Sequence, residues 1–86
     1  SPKKRHQLEE VEPNVYVMDA RVPISEVAEA LHVTLVDPDA HTIGGLVTAR
    51  LRRIPRLGDK ISEAGYIFCV EGANEKSALK LRAYLS

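Results

Sequence analysis

The stretch from Asp37 to Gly58 constrains this chain's fold more than any other. It reads Asp-Pro-Asp-Ala-His-Thr-Ile-Gly-Gly-Leu-Val-Thr-Ala-Arg-Leu-Arg-Arg-Ile-Pro-Arg-Leu-Gly. Thr42 is placed to cap a helix, because its hydroxyl can accept from a free amide of the first turn. Ile43, Leu46, Val47, Leu51 and Ile54 then fall on one helical face, which predicts a core contact. Thr48, Arg52 and Arg53 are predicted to point outward. Pro55 ends the helix, and Leu57-Gly58-Asp59 turns the chain toward a strand. The pair Gly44-Gly45 needs a reason, since glycine costs about 1 kcal/mol inside a helix. Bare amides at a helix start can hold a phosphate or carboxylate. A Walker-type loop also needs Gly-Lys-Ser/Thr, and a dinucleotide loop follows a strand. Neither context is present, so the glycines are read as a close-packing device.

On either side of this helix the pattern changes period. Leu8–Val11 and Val15–Met18 read as a hairpin around Glu12-Pro13-Asn14, with Tyr16 and Met18 on one face and Val15 and Val17 on the other. Ser25 is a plausible cap for a short first helix carrying Ile24, Val27, Ala28 and Leu31 as its stripe, with Glu26 and Glu29 near its positive end. That helix stops near His32, and Pro38 forces a turn at Asp37. Beyond Gly58, Lys60–Ser62, Tyr66–Glu71 and Ser77–Leu85 read as a meander. Phe68 and Val70 share one face, and Leu79, Leu81, Ala83 and Leu85 share another. The order is ββααβββ. An α+β fold follows, a mostly antiparallel sheet with two helices on one face. At 86 residues there is room for one core and one domain. Residues 1–7, with Lys3-Lys4-Arg5-His6, read as a linker or flexible end, and 8–86 as the domain. A first residue of Ser rather than Met suggests a piece of something larger.

Chemistry is sparse. Twelve Lys and Arg balance twelve Asp and Glu, so no whole-molecule field draws in nucleic acid. With no Trp and few aromatic residues, base-stacking surfaces are not expected. No nucleic-acid partner and no cofactor are predicted. Asp37, Asp39 and His41 alternate in a loop and offer a weak divalent-cation site, although hard ions want six or more oxygens. Arg50, Arg52, Arg53 and Arg56 form the densest basic cluster and the predicted interaction surface, with Arg50 and Arg53 as helical neighbours and Arg52 and Arg56 likewise if the turn persists. Cys69 lies in a strand with no activating His placed by sequence, and reads as a buried small hydrophobe. No nucleophile, base and oxyanion pattern appears, so no enzyme is predicted.

Two segments carry a family resemblance. Met18-Asp19-Ala20-Arg21-Val22-Pro23-Ile24-Ser25-Glu26 resembles the D-[GA]-R-x-P opening of the CorC/HlyC transporter-associated domain. Thr42-Ile43-Gly44-Gly45, then Arg53-Ile54-Pro55 and Gly58-Asp59, is similar to that family's T-[LI]-G-G helix and [RK]-[IV]-P-x-x-G-[DE] turn. The signature positions are Asp19, Arg21, Pro23, Thr42, Gly44, Gly45, Pro55, Gly58 and Asp59. Phe68 and Val70 match an F-x-V strand. Ala20, Arg52 and Ala40-His41 depart from the family's usual residues. The resemblance implies a fold like the small domain associated with FAD-binding proteins, on the cytoplasmic side of a membrane protein behind a pair of CBS domains. Family members include magnesium and cobalt efflux proteins and proteins named haemolysins. The implied role is a non-catalytic regulatory module that docks on neighbouring CBS and membrane domains or on its own copy as a homodimer. The alternative is a sensor holding a nucleotide or a divalent cation.

Overall fold

The computed structural model describes residues 7–86. The basic run Lys3–His6 therefore lies outside the described residues. Gln7 already belongs to the fold, since its carbonyl accepts from the Asp19 N–H at 2.9 Å.

Five strands and two helices follow in the order ββααβββ: β1 Leu8–Glu12, β2 Val15–Asp19, α1 Ile24–Leu31, α2 Ile43–Leu51, β3 Lys60–Glu63, β4 Tyr66–Ala73 and β5 Ala78–Leu85. The sheet is antiparallel throughout, with spatial order β1-β2-β5-β4-β3. β5 sits in the centre, bonded to β2 on one side and to β4 on the other. Turn chemistry sets the hairpins. Ala64 and Gly65 both take positive φ, 52° and 83°, the two-residue turn whose twist suits antiparallel strands. Asn14, at φ 63°, closes the first hairpin, and its N–H donates to Glu10 Oε2 at 3.1 Å.

Period-2 alternation then sorts the side chains. Tyr16, Met18, Ile61, Tyr66, Phe68, Val70, Leu81 and Ala83 face the helices and are buried. Ile24, Val27 and Leu31 of α1 and Ile43, Leu46 and Val47 of α2 close over them. Each such aliphatic or aromatic burial is worth roughly 1.5–3 kcal/mol, so this layer is what holds the sheet to the helices. The opposite face carries Val15, Val17, Ile67, Cys69 and Tyr84, all half-buried. Cys69 is thus on the helix-free face and only partly covered, where full burial was expected.

Three local expectations are corrected. Pro23, rather than Ser25, occupies the cap position of α1, with no side-chain cap bond. Its fixed φ of −60° suits the entry, and the Ile24 N–H is satisfied by the His41 carbonyl at 2.9 Å. The predicted α2 face runs three residues too far. Arg52 enters the left-handed region at φ 61°, the helix ends at Leu51, and Ile54 is left exposed while Pro55 is fully buried. The alternation puts Leu79 with Leu81 on the core face, yet it is half exposed and Ala78 is buried instead. Two bulges explain this, because the β4–β5 register slips between Val70 and Gly72 and again between Gly72 and Ala73. Leu79 is the extra residue on β5, and an unpaired bulge residue leaves its face.

Candidate functional site

The start of α2 is the place where a ligand cradle was conceivable, and its amides are all taken. Ile43 N–H donates to Val22 O at 2.9 Å, Gly44 N–H to Ala20 O at 2.8 Å, and Leu46 N–H to Thr42 O at 3.0 Å. Gly45 N–H donates to Thr42 Oγ1 at 3.1 Å, the predicted cap. No first-turn donor is left for an anion. Gly44 has a different task. A Cβ there would sit 2.8 Å from Ala20 Cβ and 2.9 Å from Ala20 O, so only glycine lets α2 lie this close to the chain leaving β2. At Gly45 the nearest atom is Thr42 Oγ1, 3.2 Å away, a looser fit.

A shallow groove of about 460 Å³ lies beside this turn, floored by small residues including Ala20, Gly44, Ala49 and Ala78. Arg21, Asp37 and Asp39 also line it. Arg21 is held by Asp19, with Nε to Oδ1 at 3.0 Å and Nη2 to Oδ2 at 2.9 Å. The groove therefore lacks the convergent free polar groups of a small-molecule site.

The Asp37–His41 loop is built around Asp37. Its Oδ2 accepts from the Asp39 and Ala40 N–H groups at 3.0 and 2.9 Å, and its Oδ1 accepts from Arg50 Nη1 at 2.8 Å. The Arg50 guanidinium, followed by these amides, holds the Asp37 carboxyl below its ordinary range. Both Asp37 oxygens are thus engaged in shaping the loop. Among the described residues, no three His, Cys, Asp or Glu side chains come together as a metal site.

The four arginines divide into two pairs. Arg50 bonds three residues at once. Nε donates to Glu63 Oε1 at 2.8 Å, Nη1 to Asp37, and Nη2 to the Val36 carbonyl at 3.2 Å, which ties α2 to the inter-helix loop and to β3. Its own pKa is pushed further up by Glu63 first and Asp37 second. Arg53 grips Asp59 with two parallel bonds of 2.8 Å, and the Arg56 N–H adds a third to Asp59 at 2.7 Å. The Arg53 side chain and then the Arg56 amide lower the Asp59 carboxyl to about 2. Arg52 and Arg56 are exposed and form no ion pair with any carboxylate among the described residues. They are not helical neighbours either, because α2 ends before Arg52.

Sequence spacing offered no route to Glu63, which lies 13 residues from Arg50. The Asp59 partnership had a signal in the Gly58-Asp59 turn closely following Arg53. Two further signature positions, Pro23 and Gly58, make structural contacts. Pro23 bridges Thr42 across the two helix starts, and Gly58, at φ 88°, lets its N–H reach Val70 O at 2.8 Å.

Comparison with known proteins completes this picture. The family model for the CorC/HlyC transporter associated domain matches residues 9–86. The chain belongs to that family. Its CorC/HlyC fold superimposes on a Mg2+ and Co2+ transporter (CorC) associated region from Neisseria meningitidis MC58, with TM-score 0.86, 25% identity, and coverage of 92% of this chain and 98% of that one. The CorC/HlyC domain from Nitrosomonas europaea gives TM-score 0.87 at 25% identity, covering 96% and 100%. A CorC/HlyC domain of a Xylella fastidiosa Temecula1 hemolysin, in complex with Mg++ and Mn++, gives 0.81 at 23% identity, covering 92% and 96%. No curated protein matches. The CorC/HlyC transporter-associated domain is not a known catalytic family. Among the described residues, no helix is long and apolar enough to cross a membrane.

Proposed function

We propose that this CorC/HlyC domain is a regulatory module of a larger membrane protein that exports divalent cations such as magnesium or cobalt. Its place would be the cytoplasmic side of the membrane, next to CBS domains. The observation that carries this reading is the family match over residues 9–86, supported by the likeness to the Neisseria transporter-associated region. The domain acts by docking, so that its differential contact with two states of its neighbours biases their equilibrium. Its contact surface is the outward side of α2 with the Asp37–His41 loop, where Pro38, Asp39 and His41 are exposed over a groove of small side chains. Arg50 holds that surface in shape, Arg53 braces the turn that follows α2, and Arg52 and Arg56 are the cations left for contacts outside the domain.

The test is ion efflux from cells or proteoliposomes carrying the full-length parent chain, with and without residues 8–86. A changed dependence of efflux on internal cation concentration is expected, with the ion path intact. Identical efflux in both would overturn the regulatory role.

The Xylella domain's complex with Mg++ and Mn++ favours a second reading, a divalent-cation sensor centred on Asp39 and His41. Anything that binds the native state raises its melting temperature by mass action. A melting temperature unmoved by millimolar magnesium, manganese or cobalt rules the sensor out.

A further inference from the structure

Between Arg52 and Leu57 the chain does something that core packing does not require. Pro55 is fully buried, yet Ile54 beside it is 50% exposed and Leu57 is 72% exposed. These side chains are not loose ends. The segment is pinned from within by Arg53 on Asp59, by the Arg56 N–H on Asp59, and by the Gly58 N–H on Val70 O. The carboxylates nearest in sequence, Asp59 and Glu63, are engaged by Arg53 and Arg50. Arg52 and Arg56 remain, exposed and in no ion pair among the described residues, with the Arg56 charge acting on Asp59 only weakly, and Lys60 on β3 is a third cation outside any ion pair. The result is a fixed turn that carries two exposed apolar side chains along with two exposed cations that form no ion pair among the described residues.

We propose that the Arg52–Leu57 turn is a docking tip for the surface of an anionic lipid bilayer. Arg52 and Arg56 take headgroup phosphates, while Ile54 and Leu57 seat in the boundary between headgroups and acyl chains. Such binding grows with apolar area and with each cation near anionic lipid, and needs no shape-matched partner. An acidic protein fits less well. A stable protein interface buries about 800 Å² on each side and uses roughly 20–30 residues, far more than this tip supplies. The whole chain has no net charge, so attraction to the bilayer is local to the turn. The proposal names a partner for Arg52 and Arg56 and stands apart from any effect on transport.

The test uses the complete 86-residue chain with vesicles of phosphatidylcholine alone or mixed with phosphatidylglycerol. The chain contains no Trp, so Leu57→Trp gives a single reporter. Its emission is expected to shift blue with the anionic vesicles and to stay unchanged with the neutral ones. In sedimentation, Arg52→Gln with Arg56→Gln is expected to lower the partition coefficient about thirtyfold, from roughly 1 kcal/mol for each lost cation. Leu57→Ser weakens binding as well. The unfolding midpoint of the double variant near neutral pH should stay close to the parent's, because neither arginine has an ion pair to lose and the Arg56 charge is the last and smallest of the causes acting on Asp59. Failure of the chain to sediment with anionic vesicles overturns the proposal, and that is the result expected of a tip made for an acidic protein. Binding that survives the double substitution also overturns it, since residues 3–6 would then be the cations responsible. An unshifted Trp emission does the same.

Discussion

Gly44 and Gly45 look alike in the sequence and differ in what surrounds them. Alanine at either position gains helix propensity, about 1 kcal/mol. At Gly44 the new methyl meets backbone and Cβ of Ala20 inside 3.0 Å, and overpacking of that kind costs typically 1–3 kcal/mol. Gly44→Ala is therefore expected to destabilise the domain, and Gly45→Ala to do so less or not at all. Urea midpoints of the two variants check this, and equal midpoints would show that α2 can back away from Ala20. Asp59 gives a prediction in pH. Its carboxyl is at about 2 in the fold, below the ordinary aspartate value near 3.9. A lowered folded pKa means stability that is whole above about pH 4 and lost as the pH falls toward 2. Asp37 contributes in the same direction. Arg53→Gln should flatten this part of the stability–pH curve, measured by urea unfolding across the acid range. The glycine pair was legible as a packing device. Which of the two does the packing was not, because Ala20 reaches α2 through the tertiary fold alone.

At the level of elements, strand and helix existence followed from period, and the misplacements came where period was locally broken. Leu79 continues a clean alternation in the sequence, but two bulges between β4 and β5 turn it outward. Ile54 continues a clean helical stripe, but Arg52 has already left the helix. Neither event has a strong local marker, since Pro55 fixes only the latest position at which the helix can end. The arginine cluster was visible as charge, and its division into braces and free cations was not. Partners 13 residues away depend on how α2 lies across β3. Exposed ion pairs are individually weak, so Arg50 matters for geometry more than for energy. Its planar fork serves Glu63 and Asp37 together, which an ammonium cannot reproduce. Arg50→Lys is expected to leave the global unfolding midpoint nearly unchanged while speeding amide exchange at Asp39 and Ala40, whose N–H groups are held by Asp37. Exchange rates equal to the parent's would show that Asp37 shapes the loop unaided.

For the whole molecule, the sheet order joins two hairpins, β1–β2 and β3–β4, whose backbones are linked only through β5, while Tyr16 of one meets Tyr66 of the other edge to face. A two-stranded hairpin is marginal alone in water. Removing residues 78–86 is accordingly expected to leave a chain with little fixed structure, seen as loss of the cooperative thermal transition in circular dichroism. A truncated chain that still melts cooperatively would mean that the helices alone can hold the hairpins. The placing of β5 also bears on how the domain comes into being on the ribosome. The keystone strand is the last of the seven elements to be translated, and both flanking hairpins emerge before the residues that join them exist outside the exit tunnel. Until residues 78–85 clear it, the faces destined for Leu81 and Ala83 stay open, and such exposed apolar surface invites misassembly. Completion of this fold thus waits for the strand that is made last among its elements. A circular permutant that makes the β5 segment first would release the domain from that delay.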